Sequence, residues 1–157
     1  MKIKLVKDYM TKGVIFLKPS DRIVDAAKLF VKSKVSGAPV VDHGRVAGII
    51  TVSDITKTMD IHFEHKNFVH PSPEGLVLSL LKTATDYTKH RKKMREIGAE
   101  TVGQIMTREV VTISPEASIY EAAAKMRKDR INRLPVLSKN KLVGIIARED
   151  LVRALVD

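Results

Sequence analysis

A segment of this chain occurs twice: residues 6–55 recur 96 positions later without a gap, and this duplication limits the fold more than any other feature. Met10-Thr11 is answered by Met106-Thr107, and Pro19 by Pro115. Ile23, Ala26 and Ala27 are answered by Ile119, Ala122 and Ala123, and Pro39-Val40 by Pro135-Val136. Gly48-Ile49-Ile50 returns as Gly144-Ile145-Ile146, and Asp54 as Asp150. Two copies are too few for a solenoid. A pair related by a pseudo-twofold axis is expected instead, because neither copy is long enough to bury all its apolar residues alone.

Each copy reads β-α-β-β-α. In the first, Asp8–Thr11 closes a helical turn and Val14–Leu17 is a short apolar strand stopped by Lys18-Pro19. Ser20 or Asp21 then caps a helix whose apolar residues fall at Ile23, Ala26, Ala27 and Phe30, the stripe of an amphipathic helix. Pro39-Val40-Val41 begins a strand, Asp42-His43-Gly44-Arg45 turns it, and residues 46–51 return. A further helix starts near Ser53. In the second copy Ser118-Ile119-Tyr120-Glu121 is a capping box, and Ser138-Lys139-Asn140-Lys141 is the hairpin turn.

The chemistry concentrates where the last strand gives way to the last helix. Gly48 removes a side chain where another backbone or a ligand comes close. Thr51 and Asp54 follow, three residues apart and able to share a helical face. A fixed carboxylate beside a hydroxyl suits a paired-hydroxyl target such as a ribose. The same pair is also a good helix cap, and the spacing alone leaves both readings open.

Between the copies, residues 58–100 are far longer than a connection requires. Ser72-Pro73-Glu74 is a helix start and Gly98 a stop. A helix of about 25 residues spans about 37 Å. Its first half carries an apolar stripe of Val77, Leu80, Leu81, Ala84 and Tyr87, and its second half is the basic run Lys89–Arg95. The domain expectation is therefore 1–60, a helical insertion 61–100, and 101–157. His62, His65 and His70, with Glu64 among them, match no zinc signature, and no metal site is expected.

Composition narrows the function. With no cysteine, disulfides and thiolate metal sites are excluded, which favours an intracellular, cytoplasmic location. The first residues have no apolar core of signal-peptide length, and no run approaches a membrane span. A net charge of +10 favours anionic partners, whereas four Phe, three Tyr and no Trp argue against a base-stacking surface. There is no phosphate-cradling glycine loop and no nucleophile–base pair, so the chain is not expected to be an enzyme or to need a cofactor.

The motifs D-Y-M-T and Q-I-M-T, A-P-V-V and L-P-V-L, G-I-I-T-V-S-D and G-I-I-A-R-E-D recur in order. With them the chain resembles the tandem cystathionine-β-synthase (CBS) domain pair, or Bateman module. The resemblance covers both copies and omits only the insertion. It implies an α/β fold in which the two motifs form one disc with two clefts for adenosine-type ligands such as AMP, ADP, ATP or S-adenosylmethionine. Carried over residue by residue, one cleft combines Thr51 and Asp54 for the ribose with Asn132 and Arg133 for phosphate and Val110, Val111 and Pro135 for the base. An arginine suits phosphate through its forked, charge-assisted geometry. The other cleft combines Asp150 with Ser36, Gly37 and Arg148 on the phosphate side and Val14, Ile15, Val35 and Pro39 as base bed. There Ala147 replaces the threonine, so this cleft is expected to be weaker or empty.

The resemblance thus implies a stand-alone sensor of an adenosine-type ligand that passes its state to a regulated protein and pairs as a homodimer. The alternative is a nucleic-acid- or ribosome-associated factor that uses Lys89, Arg91, Lys92, Lys93 and Arg95 as its contact, with the CBS pair as scaffold.

Overall fold

The computed structural model describes residues 3–58 and 100–157. The expected insertion helix with its apolar stripe, the histidines with Glu64, and the basic run at 89–95 all lie outside the described residues. In the first copy the described elements are α1 (Val6–Tyr9), α2 (Ile23–Ser33), β1 (Gly37–Asp42), β2 (Arg45–Thr51) and α3 (Val52–Thr58). The second copy gives α4 (Val102–Ile105), α5 (Ile119–Lys128), β3 (Arg133–Ser138), β4 (Lys141–Ala147) and α6 (Arg148–Val156). The fold is α/β, with one antiparallel hairpin in each copy: β1–β2 and β3–β4.

The expected strand at Val14–Leu17 contracts to a single bridge, Leu17 beside Val40 in parallel. Leu17 N–H donates to the Pro39 carbonyl at 3.0 Å, and Val41 N–H donates to Leu17 at 2.8 Å. Ile113 repeats this on β3, bonded to Pro135 and Leu137 at 3.1 and 2.9 Å. Both hairpins turn on two residues with positive φ, His43-Gly44 (46° and 77°) and Lys139-Asn140 (49° and 62°). That pair of conformations matches the twist of antiparallel strands. Lys34 (53°) and Arg130 (54°), also 96 apart, close α2 and α5 in the left-handed conformation.

The chain divides into two compact units. One comprises Met1–Ile15, His43–Val46 and Glu109–Asp157, and the other Phe16–Asp42 and Ala47–Arg108, with 1–2 and 59–99 outside the description. The short segment that heads each copy therefore belongs with the hairpin of the other. The core of the unit around β3 and β4 is Ile113, Ala122, Met126, Leu134, Val136 and Ile146, completed by Val6 from the first head. The core around β1 and β2, which holds Phe30, Val40 and Ile50, is completed by Val102 and Met106 from the second head. The backbone makes the same exchange. Thr11 and Ile145 trade hydrogen bonds of 2.9 and 3.0 Å, and Thr107 and Ile49 trade two of 2.9 Å.

The glycine of each strand is explained here. A Cβ on Gly48 would lie 2.5 Å from the Met106 sulfur and 3.0 Å from the Thr107 carbonyl, so the position exists for a neighbouring segment rather than a ligand. Gly144 stands in the same way against Met10 and Thr11.

The helix starts show where the expected caps hold. At α5 the Ser118 N–H and hydroxyl donate to Glu121 at 2.7 and 3.0 Å, and Glu121 N–H returns a bond to the hydroxyl at 3.2 Å. At α2 the cap is Arg22, not Ser20 or Asp21. The Asp21 carboxylate instead accepts from Lys18 N–H at 2.7 Å, and the first helical N–H, at Ile23, donates to the Glu100 carbonyl at 3.0 Å. A backbone carbonyl satisfies the donor that a side chain was expected to meet.

The Ser118 backbone and hydroxyl bonds hold the Glu121 carboxyl below its ordinary value of 4.5. Its folded-state value lies below the unfolded one, so the stabilisation is present above that ordinary value and lost as pH falls through the folded one. Glu121→Gln keeps an acceptor but cannot titrate. Between about pH 6 and about pH 3 the melting temperature of the variant is expected to fall less steeply than that of the unaltered chain. Parallel slopes in thermal melts would show that this cap contributes nothing to acid sensitivity.

Candidate functional site

In the first copy the strand ends at Thr51 and the helix begins at Val52. Thr51 N–H and its hydroxyl both donate to Asp54 Oδ2 at 2.8 Å, and Asp54 N–H lies 3.4 Å from the hydroxyl oxygen. The pair is a reciprocal helix cap, so the cap reading of this spacing is the geometry found. Capping does not exhaust the carboxylate. Both bonds fall on Oδ2, which fixes the group's orientation and leaves Oδ1 outside the cap. Val52 N–H donates to the Ser36 carbonyl at 3.0 Å, tying the residue expected on an anion to the start of this helix.

The second copy repeats the frame with different partners. Ala147 N–H donates to Asp150 Oδ2 at 2.9 Å, without a hydroxyl to match. Arg148 N–H donates to the Asn132 carbonyl at 3.1 Å. Asp150 is buried, at 8% exposure. Its other oxygen, Oδ1, accepts from Arg153 Nη2 at 3.0 Å, and the same nitrogen donates to the Tyr9 carbonyl at 2.7 Å. Reading the sequence for hydroxyls and carboxylates missed Arg153. The signal was the three-residue spacing from Asp150 on one helix, opposite Lys57 in the first copy.

Arg133 stands across the hairpin from Ala147. Burial pushes its guanidinium pKa down from the ordinary arginine value, against the opposing pull of the Glu149 charge. Arginine stays charged under such a shift, and a partly desolvated cation attracts an anion more strongly than a hydrated one. Asn132 beside it is exposed, as is Arg148. Ser36 is half-buried and Gly37 buried.

The apolar candidates differ in what they offer. Val14, Val35, Val110 and Val111 are half-buried and Ile15 is exposed. Pro39 and Pro135 are fully buried, and their carbonyls serve Leu17 and Ile113, so neither presents surface to a base. Thr51, Asp54, Val35, Ser36, Gly37 and Pro39 belong to one unit, and the remaining candidates belong to the other. Among the described residues no group of three His, Asp or Glu side chains is placed to hold a metal ion. No described helix is long and apolar enough to cross a membrane.

The family model for the CBS domain matches residues 6–60 and again 102–157. The chain is 39% identical over 156 residues to the uncharacterized protein MJ1426 of Methanocaldococcus jannaschii, covering 98% of this chain and 92% of that one. Several other curated relatives are longer, and the chain spans between 39% and 62% of their length. Among solved structures it is similar to the CBS domain pair of protein MJ0100 in complex with 5′-methylthioadenosine and S-adenosyl-L-methionine. The TM-score is 0.69 at 29% identity, over 98% of this chain and 97% of that one. It is also similar to CBSX2 in complex with AMP, with a TM-score of 0.71 at 25% identity and the same two coverages. A model matched once to each copy and neighbours that are themselves CBS pairs lead to one conclusion: this chain belongs to the CBS-domain family, as a tandem pair.

Proposed function

We propose that the protein is a regulatory module that binds an adenosine-type ligand and passes the bound state to a partner protein. It acts by binding rather than by catalysis. Thr51 and Asp54 take the ribose hydroxyls of that ligand. One observation carries the reading: Asp54 is oriented by Thr51 through a single oxygen, which leaves a positioned charged acceptor on the other. The two relatives solved with AMP, and with S-adenosyl-L-methionine and 5′-methylthioadenosine, support the ligand class.

The test is titration calorimetry with AMP, S-adenosylmethionine and 5′-methylthioadenosine, paired with thermal melts. A ligand at 100 times its Kd is expected to stabilise the fold by about 2.7 kcal/mol. Asp54→Asn keeps an acceptor for the Thr51 cap while removing the charge. A hydrogen bond to a charged group contributes about 1.5–3 kcal/mol against about 0.5–1.5 for a neutral one. Affinity is therefore expected to fall about 5- to 13-fold, with the melting temperature of the free protein little changed. No melting shift with any of the three at millimolar concentration would sink the proposal.

A further inference from the structure

We infer that Arg153 is a built-in competitor for the second-copy carboxylate, and that it sets that copy's discrimination against ribose-bearing ligands. The inference rests on the reading that this class of carboxylate receives a hydroxyl pair. Asp150 is the charged residue of that copy in the place Asp54 holds in the first, yet its two oxygens are differently engaged. Oδ2 accepts from the Ala147 backbone, as its counterpart accepts from Thr51, and Oδ1 accepts from Arg153 Nη2 at 3.0 Å. That nitrogen carries two hydrogens, and the Tyr9 carbonyl at 2.7 Å takes the other. The guanidinium is thus anchored at the last residue of α1 and aimed at the oxygen a ribose would take. In the first copy Lys57 occupies the corresponding position, and among the described residues the hydrogen bonds that Asp54 accepts come from Thr51.

The arginine side chain is 55% exposed and the aspartate 12%, so the pair is half open to water. Exposed pairs of this kind contribute up to a factor of about five in an equilibrium. Arg153 therefore raises the threshold for entry rather than closing the position outright. An incoming diol displaces the guanidinium from Asp150 while the Tyr9 bond keeps it nearby, ready to return.

The experiment is AMP titration calorimetry on the full chain, comparing the unaltered protein with Arg153→Ala and Arg153→Gln. The second variant keeps an amide donor for the Tyr9 carbonyl and so guards against loss of folding. Both are expected to show an AMP-binding event that is up to about fivefold tighter than in the unaltered chain, or new where none was measurable. Adding Asp150→Asn is expected to remove the gain, as is replacing AMP by its 2′,3′-dideoxy analogue. An unchanged AMP isotherm in both variants, or a gain that survives Asp150→Asn, overturns the inference. Asp54→Asn reads the other carboxylate separately. If it has no effect while the Arg153 variants still gain, the first-copy assignment fails and this one stands.

Discussion

Val6→Asp is expected to destabilise the hairpin of the second copy, which begins only at Arg133, more than the hairpin of the copy it heads. Val6 is fully buried in the core with Leu134, Val136 and Ile146. Its N–H donates to the Ala117 carbonyl at 2.8 Å, and Ile119 N–H returns to Lys4 at 3.1 Å. An uncompensated buried charge costs about 3–5 kcal/mol, a large share of the roughly 5–15 kcal/mol that stabilises a domain. Native-state hydrogen exchange locates the damage. The amides of Leu137 and Ile145 are expected to lose protection before those of Val41 and Ile49. Val102→Asp, placed by the repeat in the other core, is expected to reverse that order. The same order in both variants would show that the heads do not serve the cores as described.

Phe30→Ala carries the other large effect. Phe30 is one of the largest fully buried side chains, and its truncation costs about 3–5 kcal/mol in lost burial and cavity formation. For a chain of this size the melting temperature should drop by roughly 6–20 °C. The repeat supplies the control, because Met126 fills the corresponding place in the second core. Phe30→Met exchanges one large apolar side chain for the residue its counterpart already uses, and is expected to cost less than about 1.5 kcal/mol. Equal losses from the two variants in thermal melts would show that the two cores are not built alike.

The family, the α/β class and the hairpins with their turns were legible because apolar periodicity and turn residues are local, and each was stated twice. The exchange of heads was not. A repeat maps Val6 onto Val102 and is silent on which hairpin receives which, because both assignments leave the sequence pattern unchanged. The cap of α2 was misread for a related reason: Ser20 and Asp21 are good caps in isolation, but the Glu100 carbonyl, a tertiary partner, meets the Ile23 donor. The 96-residue offset set Arg22 against Ser118, a usable hint that residue preference overrode. At the site, Thr51 and Asp54 were legible as a pair, and the structure shows what the spacing left open, that they cap α3. Arg153 was not legible because its bond to the Tyr9 carbonyl joins residues 144 apart, which no local pattern records.

The positive-φ residues carry a last consequence. At 34 and 130, 43 and 139, and 44 and 140 the backbone takes the same uncommon turn, yet the side chains there are Lys and Arg, His and Lys, Gly and Asn. Only one of the six is glycine, the residue to which such a turn costs least. What the two halves share at these points is the path of the chain, and identity is free to drift around it. The same holds at the caps of the last helix in each copy: the aspartate keeps its place while threonine faces alanine and lysine faces arginine across the duplication. The duplication thus supplies one backbone frame twice, and the side chains mounted on each copy change independently.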